Sequence, residues 1–302
     1  MKKEEIKKIL TPKNDVVFKR LFGKVGNERL VKDFLEAVLE VKIESVTLGK
    51  ELELVPERID EKLGILDVLV ELSDGTKVNI EMQRMNAGDV EKRFTYYQDR
   101  LYVGGLKRGE DYSNLQKAIV IGILDYLHFE DIEDYHTIWK QTEQKHKERT
   151  FEQQEIHLIE LPKFLKSKVD TDRKVDQWLL FIDYSRRELI EMAKKKNEIV
   201  GEAEKEYEYL TGEEEVQRLA FLKMKYEWDY NSGIKYAEEK ALAKGKAEGK
   251  AEGKAEGKAE GKAEALIEEK IRTSKKMLEK GMEIELIEEI TGLSREEIEK
   301  LK

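Results

Sequence analysis

The sequence predicts an α/β fold whose core runs αβββαβ and is followed by a helical C-terminal arm. Three observations carry this. Two apolar-alternating runs within residues 65–83, ILDVLVELSDGTKVNIEMQ, meet at Ser73-Asp74-Gly75 and read as a β-hairpin. Residues 115–126 centre on AIVIGIL, a nearly continuous β-branched run typical of a strand buried on both faces. From about Val175 the apolar spacing turns helical, and it stays so to about Lys244.

In chain order, residues 11–22 open after threonine and proline and place Val17, Phe18, Leu21 and Phe22 at helical spacing. Asn27 is a natural N-cap for the next helix, whose apolar face is Leu30, Val31, Phe34, Leu35, Val38 and Leu39. Short β-like runs at 43–48 and 51–55 precede the hairpin. Residues 89–107 read as a helix, and 115–126 as the buried strand. Residues 135–139 and 155–161 are further strand-like runs, the last ending in ELPKF. His128, His136, His146 and His157 have no metal-ligand spacing and read as structural or solvent-facing.

The hairpin register follows from the rule that opposed residues share a face. Leu66, Val68, Val70 and Leu72 point one way and Asp67 the other; Val78, Ile80 and Met82 oppose Asn79, Glu81 and Gln83. A two-residue loop at Asp74-Gly75 pairs Val68 with Glu81, apolar against polar, and fails. A loop of Ser73 to Gly75 with Gly75 left-handed pairs Leu72 with Thr76, and therefore Asp67 with Glu81. Their Cβ atoms then lie roughly 4.5–5.5 Å apart, with Gln83 next on the same face. Bare carboxylates that close repel, and a divalent cation between them removes the conflict. Against this stands the plain alternative of two solvated acids on a polar strand face.

On the helix at 89–107, Val90, Phe94, Tyr97 and Leu101 form one stripe at 100° per residue. Arg93, Tyr96, Arg100 and Lys107 fall within about 60° of one another beside it. Such a row can hold phosphates next to a metal, Arg93 in a bidentate grip, or it can be an ordinary solvated face.

The chain has 302 residues, enough for one core of ordinary size plus an appendage. It has no cysteine, which fits a reducing cytoplasm and excludes disulfides and thiolate zinc sites. MKKEEIKKIL lacks an apolar leader core and no long apolar segment follows, so secretion and membrane spanning are not expected. With 40% charged residues and a net charge of -9, bulk coating of DNA is excluded; attraction to nucleic acid must be local or metal-assisted.

The arm carries five tandem copies of Gly-Lys-Ala-Glu at 245–264. A glycine every fourth residue costs about 1 kcal/mol each relative to alanine, so the segment is either a poor helix or a flexible spacer. Beyond it, Ile267, Ile271, Ser274 and Leu278 share a helical face, Gly281 stops the helix, and Ser294 with Glu297 forms a capping box. The shape is that of a helix-turn-helix fragment. Its acidity, from Glu283, Glu285, Glu288, Glu289, Glu296 and Glu297, argues instead for an interaction or dimerisation tail. The expected division is 1–168 as the α/β domain, 169–244 as a helical region, 245–264 as the repeat spacer and 265–302 as a small helical tail.

This ordered set resembles the PD-(D/E)XK nuclease superfamily and, more closely, its recombination-promoting nuclease and transposase family. The matching features are KNDVVFKRLFG, Asp67 on the second strand, Glu81-Met82-Gln83 on the third, R-x-x-x-Y at Arg93 and Tyr97, ELPKF, and GKAE repeats followed by ITGLS. They span nearly the whole chain. Two positions depart from the superfamily pattern: Leu66 stands where proline usually precedes the aspartate, and Gln83 where lysine is usual.

The resemblance implies a restriction-endonuclease-like core with a mixed sheet. It also implies a Mg²⁺-dependent endodeoxyribonuclease active on DNA in recombination or mobile-element processes. Asp67 and Glu81 would hold the ion, Gln83 would orient the attacking water, and Arg93, Arg100 and Tyr97 would contact DNA phosphates. Asp15 is an auxiliary candidate. Self-association through the helical C-terminal region is a further expectation. Two other classes compete: a catalytically weak DNA-binding or assembly protein on the same fold, and a retaining glycoside hydrolase, whose carboxylates would stand at a similar separation. The basic stripe and the lack of an aromatic sugar groove favour phosphate over sugar.

Overall fold

The computed structural model describes residues 10–49, 53–54, 64–65, 67–106 and 108–301. Leu66 and Lys107, both used in the face assignments above, lie outside the described residues. Helix α1 (Asp15–Gly23) starts at Asn14, whose side chain accepts from the Val16 and Val17 N–H groups at 3.1 and 3.4 Å. Helix α2 (Glu28–Leu39) starts at Asn27, as expected, but this side chain does not cap it; its Nδ2 donates to the Leu21 carbonyl at 2.7 Å and ties α2 to α1. Strands β1 (Val46–Leu48), β2 (Glu53–Leu54) and β3 (Gly64–Ile65) follow, β2 and β3 pairing only with each other. The hairpin is β4 (Val68–Leu72) and β5 (Lys77–Gln83). Helix α3 (Val90–Val103), strands β6 (Ala118–Leu124), β7 (His136–Thr142) and β8 (Thr150–Glu160), and helices α4 (Leu161–Lys166), α5 (Lys174–Asp183), α6 (Arg187–Lys196) and α7 (Glu198–Gly212) complete the core.

The six-stranded sheet has the order β1-β4-β5-β6-β8-β7, with β5, β6 and β8 mutually parallel and the other pairs antiparallel. It is the mixed sheet of the expected α/β core. Every residue of β6 is buried, as its apolar run requires. One expectation needs correction: ELPKF does not continue the strand. Glu160 ends β8, and Pro162 sits in the first turn of α4, where its missing N–H costs nothing and its fixed φ suits a helix.

One sheet face, carrying Val68, Val70, Ile80, Met82, Ile121 and Ile159, packs against α1, α2 and α5. The rings of Phe22, Phe34 and Trp178 meet there, with centroids 5.4 to 5.8 Å apart. Asp33 is buried at the centre of this layer and accepts from Lys174 Nζ at 2.7 Å and from Trp178 Nε1 and Asn197 Nδ2 at 2.9 Å. The helices after residue 168 therefore share one core with the sheet. Beneath the sheet end, His157 is buried and hydrogen-bonds His136 at 3.0 Å and Glu155 at 3.3 Å, so these histidines are structural. The opposite face carries Asn79, Glu81, Val120 and Gly122 and is covered by α3 through Val90 and Phe94.

Helix α8 (Glu214–Glu279) begins in this unit, which spans residues 1–226; the second unit is 227–302. The GKAE copies are helical and exposed, and a Cβ built on any of their glycines would meet nothing within 4 Å. Alanine, lysine and glutamate carry the helix. In the second unit the end of α8, α9 (Ile284–Thr291) and α10 (Arg295–Glu299) enclose Ile287, Leu293 and Ile298. Gly281 takes φ +74°, and Ser294 with Glu297 forms the expected capping box.

Candidate active site

The hairpin ladder pairs Val68 with Ile80 and Val70 with Val78, and Gly75 takes φ +84°. The Leu72 N–H donates to Thr76 O and the Gly75 N–H to Leu72 O, both at 2.9 Å. This is the register worked out from the sequence. One residue beyond the ladder it sets Asp67 opposite Glu81.

Their side chains are locked by backbone donors from each other's strands. The Asp67 N–H donates to Glu81 Oε1 at 3.1 Å, and the Met82 N–H donates to Asp67 Oδ2 at 3.2 Å. Asn79 Nδ2 adds a bond to Glu81 Oε1 at 2.9 Å, and Gln83 Nε2 one to Glu81 Oε2 at 3.1 Å. Gln83 Oε1 accepts from Arg93 Nη2 at 2.5 Å. The amide is thus oriented by its neighbours, nitrogen toward the carboxylate and oxygen toward the guanidinium. On the other flank, Lys19 Nζ of α1 stands 2.9 Å from Asp67 Oδ1. A continuous string results: Lys19, Asp67, Glu81, Gln83, Arg93.

Burial dominates the electrostatics. Glu81 is 2% exposed because α3 lies over it, and this pushes its carboxyl up to about 8, the Asp67 charge adding to the effect. Burial also raises Asp67, with the Lys19 ammonium pulling the other way. The Tyr97 hydroxyl is raised to about 12, first by burial and then by the Glu81 charge, which places Tyr97 beside the pair. Asp15, in the first turn of α1, acts electrostatically on both Lys19 and Asp67.

The expected residues Asp67, Glu81, Gln83 and Arg93 are therefore joined by hydrogen bonds, and Tyr97 and Asp15 lie within electrostatic reach of the pair. Arg100 lies two turns along α3 from Arg93 and is half-buried. Arg93 does not lie on a solvated face: it reaches Gln83 and stands 3.9 Å from Asp89. Three contributors escaped the sequence reading. Lys19 lies on a helix whose sequence signal is its apolar spacing alone. Asn79 had been placed on a polar face, yet it is fully buried. Gly122 is paired with Glu81 across β5 and β6, and a Cβ there would lie 2.0 Å from the Phe94 ring. The lone glycine inside AIVIGIL was the available signal for that close approach.

Among the described residues no three or more His, Cys, Asp or Glu side chains form a group that could hold a metal ion. The donors present do suit a hard divalent cation that keeps most of its water: two apposed carboxylates, with a shortfall of positive charge at Glu81.

A family model described as PD-(D/E)XK nuclease family transposase matches residues 12–237. The chain belongs to this family. A second model, the C-terminal HTH domain of the Rpn/YhgA-like nuclease family, matches residues 268–302. That match agrees with the helix-turn-helix shape read from the tail's stop and capping signals. No curated protein and no solved structure matches the chain. No helix among the described residues is long and apolar enough to cross a membrane.

Proposed function

We propose that the protein is an endodeoxyribonuclease that hydrolyses phosphodiester bonds of DNA with a divalent cation, Mg²⁺ by preference, in recombination or mobile-element processes. The observation that carries this reading is the pair Asp67 and Glu81, apposed across the hairpin and flanked by Gln83 and Arg93. Family membership supports the reaction class. Asp67 and Glu81 would hold the cation, which when bound supplies Lewis-acid polarisation of the phosphate and a more acidic water.

The protein's own groups do the positioning. Gln83 Oε1 has two lone pairs; one accepts from Arg93, and the other is left to accept an O–H of a water whose oxygen lone pair faces phosphorus. In the hydrolytic step the water oxygen bonds to phosphorus, the bond to the departing sugar oxygen breaks, the water proton passes to solvent, and the departing oxygen takes up a proton from solvent to leave as a hydroxyl. Gln83 carries no charge, so charge developing on the phosphate must be met by cations around it. Arg93, together with Arg100 and Tyr97 further along α3, is assigned to phosphate contact.

A second reading has a specific observation in its favour: the helix-turn-helix match at 268–302 points to DNA binding by the tail, with weak or no catalysis in the core. Supercoiled plasmid incubated with the full chain in Mg²⁺ and in EDTA separates the two. Nicked or linear product in Mg²⁺ alone supports the nuclease; retarded but uncut plasmid in both supports the binding protein.

A further inference from the structure

Beside Asp67, on the flank away from Arg93, opens a cavity of about 440 Å³ lined by Lys19, Arg20, Lys24, Asp67 and Glu213. Lys19 and Arg20 come from α1 and Lys24 from the residue that follows it, and Gly23 adds no side chain between Arg20 and Lys24. Lys19 is bound at 2.9 Å to Asp67 itself. Arg20 is held loosely, 4.0 Å from Glu213 and 3.7 Å from Glu215, while Lys24 is held at 2.5 Å by Glu206. Lys19 and Arg20 are about one-third exposed, so an anion entering the cavity can reach both.

The opposite flank offers less. Arg93 already donates to Gln83 and faces Asp89, and the place next to Glu81 on β5 is taken by neutral Gln83. Among the described residues, the Lys19 ammonium adjoining Asp67 is the cation nearest this pair on the open side. We propose that the α1 cavity is the binding site for the DNA phosphates at and next to the scissile bond, with Lys19 on the reacting phosphate and Arg20 on its neighbour. The proposal rests on the reading of Asp67 and Glu81 as the hydrolytic pair. Lys19 then supplies the positive charge that glutamine at position 83 does not, from a helix and not from the strand. Arg20, whose carboxylate partners stand 3.7 to 4.0 Å away, exchanges weak ion pairs for a phosphate at little cost. Lys24 stays with Glu206 at the rim.

The test uses the full chain and a short labelled DNA duplex. Binding is measured in EDTA across a salt series for the wild type, Lys19→Gln, Lys19→Arg and Arg20→Gln, with folding checked by thermal unfolding. Each glutamine variant should reduce the slope of log affinity against log salt by about 0.9, the loss of one phosphate contact, and Lys19→Arg should restore it. In Mg²⁺, Lys19→Gln should slow cleavage at saturating DNA on the order of 10²-fold, whereas Arg20→Gln should raise KM and leave kcat near wild type. Unchanged salt slopes in folded Lys19→Gln and Arg20→Gln would overturn the proposal even if the wild type cuts DNA. Reduced slopes with no cleavage by the wild type would support the phosphate site while removing the nuclease reading.

Discussion

Replacing Glu81 by glutamine in the cation-free protein should change stability in a direction that depends on pH. The unfolded glutamate titrates near 4.5 and the folded one near 8, so between these values the folded state holds a proton that the unfolded state has released. Stability from this group is therefore full below about pH 4.5 and falls as pH rises through 8. At about 1.36 kcal/mol per pH unit, the folded state is disfavoured by at most about 5 kcal/mol at pH 8.5 relative to pH 4.5. Glutamine removes that loss. Its oxygen can still accept from Asn79 and the Asp67 N–H, but its NH₂ faces the Gln83 NH₂, which must turn over and release Arg93, a cost of about 1–2 kcal/mol. Glu81→Gln should accordingly be more stable than wild type by about 2–4 kcal/mol at pH 8.5 and slightly less stable at pH 4.5. Urea unfolding in EDTA at both pH values measures this. The fully buried Trp178 provides the fluorescence change, since Trp139 and Trp228 are about half exposed. Parallel stability curves for the two proteins across this range would refute the reasoning.

Gly122→Ala should destabilise the core by about 1–3 kcal/mol, because the new methyl meets the Phe94 ring at 2.0 Å and must push α3 off Glu81; a lowered melting temperature checks it, and an unchanged one contradicts the packing described. Asp33→Asn should cost about 2–4 kcal/mol at pH 7, since the carboxylate satisfies Lys174, Trp178 and Asn197 together. Its hydrogen-bond donors outweigh burial and hold Asp33 below the ordinary aspartate value, so this stability is present above about pH 4 and is lost as pH falls further. Acid unfolding of wild type and variant should converge at low pH. Residues 1–237 should unfold cooperatively without the tail, because the core cluster ends at Ala220; a broad, non-cooperative melt would show the tail to be part of the core.

The site was legible where local periodicity governs it. The spacing between Leu72 and Thr76 fixes which residues oppose across a short loop, and Asp67 opposite Glu81 follows by counting. What counting does not give is burial. Asn79 and Glu81 sit on the strand face that carries polar residues, and only the docking of α3 through Phe94 onto Gly122 makes that face dry. Lys19 lies on a helix whose apolar face, Val17, Phe18, Leu21 and Phe22, was readable. Which strand end that helix would abut depends on long-range packing against Phe34 and Trp178. The tail was legible in its geometry, from the Gly281 stop to the Ser294 capping box, because both are local signals, whereas its acidity does not bear on that geometry.

The proposed hydrolysis requires Asp67 and Glu81 to act as one unit on a DNA phosphodiester. Single-turnover cleavage of supercoiled plasmid in Mg²⁺ by the wild type, Asp67→Asn, Glu81→Gln and the double variant tests it most directly. Asparagine keeps an acceptor for the Met82 N–H, so the fold is preserved while the charge is removed. Each single variant should lose cleavage and the double variant should lose no more, because both carboxylates serve the same step. Wild-type cleavage by folded Asp67→Asn protein would contradict it.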